Sequence, residues 1–301
     1  MVIALASSAL FDLSESDRIF REQGMDAYRK HQKENIDNTL PGGVAFPFIR
    51  RFLNLNKAFP KHEPVEVVLL SRNSPETGMR VFRSIQKYGL NISRAAFFSG
   101  SSPYEYLPAC NASLFLSANK DDVELAIQSG FPAGRVLESH ITDDESDNEM
   151  RIAFDFDGVI VDDASETIYK ETKDLNKFYE FELLQSKIPH KPGPLRDLFS
   201  KISLLQELEK REILKNPDHK KTLKISIVTA RSAPAHERLI NTLKSWGISV
   251  DEAFFLGGIE KKRILEVMKP HIFFDDQTIH LEHIDNIPLV HIPFGIANRK
   301  T

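Results

Sequence analysis

Two carboxylates sit two residues apart at the end of an apolar run, in Ala153-Phe154-Asp155-Phe156-Asp157-Gly158-Val159. Three further segments carry groups of complementary type: Thr229-Ala230-Arg231 after Ile227-Val228, Lys261-Lys262 shortly after Gly257-Gly258, and the adjacent acids Asp275-Asp276 after Ile272-Phe273-Phe274. Cleavage of a phosphate ester needs this inventory. The substrate is an anion that repels a carboxylate nucleophile, so a divalent cation has to bridge the two, and Mg²⁺ prefers carboxylates, carbonyl oxygens, water and phosphate oxygens. Asp155, the backbone carbonyl of Asp157 and one or both of Asp275 and Asp276 are the candidate metal ligands. Asp155 would attack phosphorus in line and form an aspartyl-phosphate, which turns one hard displacement into two easier ones.

The remaining groups take supporting parts in the same scheme. Asp157 is placed to protonate the leaving alkoxide and later to deprotonate the attacking water. Thr229 offers a hydroxyl, and Lys261 or its neighbour Lys262 a positive charge, to the phosphoryl oxygens. Gly158 lets the backbone approach the phosphate, and Ala230 and Arg231 flank the substrate, with a structural role for Arg231 as the open alternative. An adjacent pair such as Asp275-Asp276 also occurs as a helix N-cap, but two carboxylates side by side after an apolar strand repel each other unless a cation stands near them.

These residues need elements to hold them, and the chain supplies the same set twice. Val68-Leu69-Leu70-Ser71-Arg72-Asn73-Ser74-Pro75 parallels Ile227-Val228-Thr229-Ala230-Arg231-Ser232-Ala233-Pro234. Ala96-Phe97-Phe98-Ser99-Gly100 parallels Phe254-Phe255-Leu256-Gly257-Gly258, and Leu114-Phe115-Leu116-Ser117-Ala118 parallels Ile272-Phe273-Phe274-Asp275-Asp276. Helices after the second strands close on Gly89 and Gly247, where a C-terminal cap is wanted. Leu10-Phe11-Asp12-Leu13-Ser14 is matched with Ala153-Phe154-Asp155-Phe156-Asp157 at the start of each half. Four short apolar strands per half, separated by helical segments, predict βαβ crossovers and a parallel sheet covered on both faces, with ligands at the carboxyl ends of the strands.

The fold expected is therefore α/β, with two Rossmann-like units in tandem spanning residues 1–140 and 150–301 and a polar, acidic link from His140 to Glu149. A helical cap insert follows the first strand of each unit, about residues 15–63 and 164–221, and each insert carries a Pro-Gly turn, Pro41-Gly42-Gly43 and Pro192-Gly193-Pro194. The charged stretch from Lys201 to Lys221 reads as a solvated helix face, Trp246 as core and His236 as a surface or turn residue. On the matching above, the first half presents Asp12, Ser14, Leu70 and Ser117-Ala118 where the second presents its reactive set, so it lacks the acid/base, the hydroxyl and the acid pair. It is expected to serve structure, substrate enclosure or regulation, its cluster Asp12, Ser14, Glu15 and Ser16 being either structural or a contact for a nucleoside or effector.

The motifs resemble the haloacid-dehalogenase-like (HAD) superfamily of aspartyl-nucleophile phosphatases. Within it the whole chain resembles the cytosolic 5'-nucleotidase I family, through Ala9-Leu10-Phe11-Asp12-Leu13-Ser14-Glu15-Ser16, Thr229-Ala230-Arg231-Ser232-Ala233-Pro234-Ala235-His236-Glu237-Arg238 and Pro270-His271-Ile272-Phe273-Phe274-Asp275-Asp276-Gln277. The resemblance implies two HAD-type units, Mg²⁺-dependent hydrolysis of nucleoside 5'-monophosphates and a cytosolic setting. It assigns the nucleophile to Asp155, the acid/base to Asp157, the phosphate contacts to Thr229 and Lys261 rather than Lys262, and the metal pair to Asp275 and Asp276. Other small phosphomonoesters, transfer to an acceptor alcohol, and a non-catalytic nucleotide-binding regulator are the competing readings.

Bulk properties bound the partners. With 41% hydrophobic and 27% charged residues and a formal charge of -4, and a pI near 6.2, the chain has no general attraction to polyanions, so a nucleic-acid polymer is not an expected partner. Cys110 is the single cysteine; it excludes an intrachain disulfide and fits a reducing, cytoplasmic compartment with a structural thiol. The apolar start Met1-Val2-Ile3-Ala4-Leu5-Ala6 lacks a basic leader and reads as a first strand, and no run is long enough to span a membrane.

Overall fold

The computed structural model describes residues 1–60, 62–216 and 219–299. It divides into two compact units, Met1–Asp143 and Asp144–Thr301. The first runs β1 (Val2–Leu5), α1 (Ser7–Leu10), α2 (Ser14–Glu34), α3 (Phe46–Ala58), β2 (Glu66–Ser71), α4 (Met79–Lys87), β3 (Arg94–Phe97), β4 (Ala112–Ser117), α5 (Lys120–Gln128) and β5 (Ala133–Val136). The second runs β6 (Met150–Phe154), α6 (Ala164–Thr172), α7 (Leu175–Leu184), α8 (Arg196–Lys215), β7 (Leu223–Thr229), α9 (His236–Ser245), β8 (Glu252–Phe255), α10 (Lys261–Met268), β9 (Ile272–Asp275) and β10 (Leu289–His291).

Each unit is α/β with a parallel sheet flanked by helices. Strand order is β3-β2-β1-β4-β5 in the first and β8-β7-β6-β9-β10 in the second. Among the described residues the sheet of each unit thus has five strands rather than four. The fifth ones were not legible because Ala133-Gly134-Arg135-Val136 has no strand-like run and Leu289-Val290-His291 is three residues long between prolines. The central strands are nearly continuous apolar runs, as a sheet covered on both faces requires; Ile152, Ala153, Phe154, Ile272, Phe273 and Phe274 are all buried. Phe154 stacks on Phe274 at 5.1 Å and meets Phe199 of α8 edge-on at 5.1 Å, which seats the ends of β6 and β9 on a rigid floor.

Helix α8 carries the first part of the charged stretch. Its Leu198, Phe199, Ile202 and Leu205 are buried at helical spacing. Glu209, in the same stretch, is not solvated: it is buried and accepts the N–H groups of Thr222 (2.7 Å) and Leu223 (3.2 Å), closing the start of β7. Residues 217–218 of that stretch lie outside the described residues. Trp246 is not core; it is half-buried, with the Arg196 guanidinium 5.3 Å over its ring. The acidic link is also engaged within each unit. Asp143 accepts from Arg50 at 2.8 Å and from the buried Arg51 at 2.6 Å, and Asp147 accepts from Arg151 at 2.6 Å.

Register corrects how the two halves correspond. Leu5 pairs with Leu69 and Leu116 as Phe154 pairs with Ile227 and Phe274. Beyond those strands, Ala6 N donates to Leu116 O and Asp155 N to Phe274 O, both at 2.8 Å. Ala6, not Asp12, therefore occupies the position of Asp155. Ser71 pairs with Phe97 as Thr229 pairs with Phe255, so Ser71, not Leu70, stands at Thr229, and Asn73, not Arg72, stands at Arg231. Arg72 instead pairs with the buried Asp122 at 2.6 Å. Asp12 N donates to Pro41 O as Asp162 N donates to Lys191 O, which makes Asp12 the counterpart of Asp162; its carboxylate accepts Ser14 N at 2.9 Å. Ser117-Ala118 does stand at Asp275-Asp276.

Both inserts return to the sheet through one device. An isolated antiparallel bridge joins Phe11 to Gly42 in the first unit and Val161 to Pro192 in the second. The glycine beyond each bridge lies against backbone: a Cβ on Gly43 would meet Phe11 atoms at 2.8 Å, and one on Gly193 would meet Val161 O at 2.2 Å. Backbone cannot yield as a side chain can, so Gly193→Ala is expected to cost about 2 kcal/mol or more through overpacking, read as a lower denaturation midpoint with unchanged m-value.

Candidate active site

The carboxyl ends of β6, β7 and β9, together with the start of α10, bring the expected residues into one place. Asp155 follows β6, Thr229 ends β7, Asp275 ends β9 with Asp276 next in the chain, and Lys261 opens α10. All five are buried. The Lys261 ammonium lies between two carboxylates, 2.9 Å from Asp155 Oδ2 and 2.7 Å from Asp275 Oδ2. Lys262 points away and donates to His283 O at 2.6 Å, so geometry leaves Lys261 as the only one of the pair in the cluster. Asp275 Oδ1 accepts Gln277 N at 2.9 Å and lies 3.4 Å from His280 Nδ1.

Burial dominates the electrostatics. It pushes the Asp155 carboxyl up to about 7, with Lys261 pulling the other way and Asp275 and Asp157 adding to the rise. Asp275 is held below the usual carboxylate range: burial would raise it, but Lys261 and His280 outweigh that. Asp276 is pushed well above it by burial and then by the charges of Asp155, Glu166 and Asp275. Neither of its oxygens has a hydrogen-bond partner, although the residue is fully buried. A buried carboxylate without a partner is costly, and oxygens in this arrangement suit a hard divalent cation. Asp155, Asp275 and His280 also offer ligand atoms within 4.8 Å of one another, but Lys261 already occupies the first two, which leaves Asp276 as the carboxylate with capacity to spare.

Gly158 has a different neighbour from the one expected. Its φ is +68°, and a Cβ there would lie 2.4 Å from Asp276 Oδ2. The missing side chain makes room for Asp276.

Arg231 also departs from the expectation that it contacts substrate. Nε and Nη2 bind both oxygens of Asp157, at 2.7 and 2.6 Å. Nη1 donates to Glu182 Oε2 and to Ala235 O (3.1 Å), and Nη2 also reaches His190 Nε2 at 3.3 Å. A guanidinium has five N–H groups; four of them are taken by oxygens of Asp157, Glu182 and Ala235, and the fifth faces the His190 ring nitrogen. Its faces are covered by the rings of Phe156 at 5.3 Å and Phe178 at 5.7 Å. Burial would raise the Glu182 carboxyl, but His190 and Arg231 hold it far below its ordinary range.

Above the cluster opens a cavity of about 360 Å³ lined by Asp155, Asp157, Thr229, Ala230 and Arg231, with residues absent from the sequence-based set. These include Glu166, Tyr169 and Lys170 of α6, Phe178 and Tyr179 of α7, and Gln277 and His280. The i,i+4 pair Glu166 and Lys170, with Nζ to Oε1 at 3.4 Å, was visible as a helical spacing, but nothing local aims it at the sheet. Thr229 Oγ1 accepts Arg231 N at 3.3 Å, which leaves its own proton for the cavity. His236 is outside, edge-on to Phe255 at 5.9 Å.

A parallel α/β sheet takes its ligands at the carboxyl ends of its strands, and here those ends bury a carboxylate cluster around one ammonium. Residues 1–299 match the 5'-nucleotidase family, and the chain belongs to that family. It is 34% identical over 288 residues to cytosolic 5'-nucleotidase 1B of Homo sapiens, an overlap that covers 94% of this chain and 47% of that protein. The chain thus spans about half the length of that curated relative. No solved structure matches it. Among the described residues no helix is long and apolar enough to cross a membrane.

Lys261→Met would leave Asp155 and Asp275 buried without their shared cation. It is expected to destabilise the protein by about 3 kcal/mol or more at neutral pH, measured by urea denaturation.

Proposed function

We propose that the protein is a Mg²⁺-dependent 5'-nucleotidase that hydrolyses nucleoside 5'-monophosphates to nucleoside and phosphate through an aspartyl-phosphate on Asp155. The reading rests on one observation above all: Asp155, Thr229, Lys261, Asp275 and Asp276 converge at the strand ends of a single unit in a chain of the 5'-nucleotidase family. On this reading the chain is two HAD-type units in tandem. Residues 150–301 are catalytic, with the insert at about 164–221 as a cap, and residues 1–140 are a degenerate copy for structure, enclosure or regulation. Ala6, Ser71 and Ser117-Ala118 at the positions of Asp155, Thr229 and Asp275-Asp276 support the second assignment. The cytoplasm is the compartment we assign.

Asp155 is the nucleophile, held in orientation by Lys261. Its Oδ forms the bond to phosphorus as the bond to the ester oxygen breaks, and Asp157 gives that oxygen its proton. In the second step Asp157 takes a proton from water, the water oxygen bonds to phosphorus, and Asp155 is released. Thr229 and Lys261 face the non-bridging oxygens as charge redistributes. Asp155, the Asp157 carbonyl and Asp276, with Asp275 behind Lys261, are the residues that would hold the cation, which when bound neutralises the charge between nucleophile and phosphate. The base of the nucleotide is accommodated by the ring-bearing faces of α6 and α7.

Phosphate release from a panel of nucleoside 5'-monophosphates is expected with Mg²⁺ and is expected to disappear on chelation. Asp155→Asn should reduce it at least ~10³-fold, in line with loss of a covalent nucleophile; full activity in either case overturns the assignment. A second measurement needs no turnover. Asp276→Asn removes an unpartnered buried carboxyl, so the metal-free variant should melt higher than the metal-free parent and gain less from added Mg²⁺. An unchanged Mg²⁺-induced shift would remove Asp276 from the metal site.

A further inference from the structure

The two halves provide an internal control for which buried charges serve the fold. Arg80 Nε donates to Asn38 O and Arg238 Nε to Ile188 O, each at 2.9 Å. Leu40 N donates to Ser84 Oγ at 3.0 Å and His190 N to Thr242 Oγ1 at 3.1 Å. These contacts hold the insert against the helix after the second strand, and both units keep them. By the same offsets Arg231 and Glu182 correspond to Asn73 and Gln32, and Asp157 falls at Ser7-Ser8, where the second unit has one residue more. The chain builds this frame in the first unit with neutral residues where the second has two carboxylates around a guanidinium. The first unit therefore holds its insert without these ion pairs, and it lacks them where it also lacks the carboxylate of Asp155.

We propose that Arg231 and Glu182 are positioning residues for Asp157: the insert, through Glu182 on α7, fixes the Arg231 guanidinium, and Arg231 fixes the carboxyl group that carries the proton. The inference rests on the reading of Asp155 as nucleophile and Asp157 as proton donor. A two-point hydrogen bond sets both the position and the plane of the Asp157 carboxyl, which a single contact would not. Glu182 is itself over-determined. It is 1% exposed, and its Oε1 accepts from Arg238 Nη1 at 2.9 Å and Ser165 Oγ at 2.5 Å while Oε2 takes Arg231. Arg231 is 4% exposed and its Nε, Nη1 and Nη2 are each held by an oxygen of Asp157, Glu182 or Ala235, so it acts on the ester through Asp157 and not by direct contact.

The proton delivered by Asp157 matters in proportion to the basicity of the leaving group. A nucleoside 5'-alkoxide needs it; p-nitrophenolate departs without it. Values of kcat/KM, which report the steps up to departure of the leaving group, are therefore to be compared on a nucleoside 5'-monophosphate and on p-nitrophenyl phosphate. The proteins are the parent, Asp157→Asn, Glu182→Gln and Arg231→Lys. Gln is the residue the first unit uses at that position, so the frame accommodates it. A positioned general acid contributes ~10²–10⁴-fold, so Asp157→Asn should lose at least ~10²-fold, and Glu182→Gln and Arg231→Lys about 10-fold or more, on the nucleotide, each loss being several-fold smaller on the aryl ester. Nucleotide KM should change little.

Equal losses on both substrates, with a fall in melting temperature, would mark a purely structural role and overturn the proposal. A rise in KM with kcat preserved would make Arg231 a substrate ligand and overturn it also. If Asp157→Asn shows no leaving-group bias, or the parent hydrolyses neither ester, the underlying reading fails, and the positioning role falls with it; a biased Asp157→Asn beside unbiased Glu182→Gln and Arg231→Lys defeats the positioning role alone.

Discussion

A single ammonium, that of Lys261, makes it possible for two carboxylates from neighbouring strands to be buried side by side. Strands β6 and β9 are adjacent and parallel, so the residues that end them, Asp155 and Asp275, come together whether or not their charges agree. Sequestering both from water would be prohibitive without a counter-charge of comparable burial. Lys261 provides it from the first turn of α10, and it neutralises only part of the total. The Asp276 carboxyl is left over, fully buried and without a hydrogen bond to either oxygen. Burial and its acidic neighbours press it towards the neutral form, and a cation bound beside it would reverse that pressure.

The sister unit shows what the scaffold looks like without that demand. Its strand order, its insert and the contacts that tie the insert down are the same, while the acids at its strand ends are replaced by Ala6, Ser117 and Ala118. The sheet and its helices therefore form without acids at the strand ends. Charge in the second unit is an added strain on a frame that does not need it, which is the usual signature of a functional site.

Much of this was legible in the sequence because the elements are local. Runs such as Ile152-Ala153-Phe154 and Ile272-Phe273-Phe274 announce buried parallel strands, and Asp155, Thr229, Asp275 and Asp276 end such runs or follow them within two residues. What was not legible depends on register or on long-range partners. Leu10-Phe11-Asp12 looks like Ala153-Phe154-Asp155, yet β1 ends at Leu5, so likeness of letters misplaced the counterpart of Asp155 by six residues. Arg231 reads as a free cation beside a phosphate until Glu182, 49 positions away, is seen to hold it. Gly158 suggests an open approach to substrate, and only the fold shows Asp276 in that space.

The bridge from Val161 to Pro192, locked by the contact of Gly193 with the Val161 carbonyl, closes the insert into a loop whose two feet meet at one point beside the sheet. A loop closed in this way is mechanically separate from the scaffold that bears it. Lengthening it costs little, about 0.6 kcal/mol for each doubling, because the entropy of closure grows only with the logarithm of its length. The size and chemistry of the insert are then free to diverge among related proteins while the strand ends beside it keep their register, so such a chain can change what stands over its strand ends without rebuilding them.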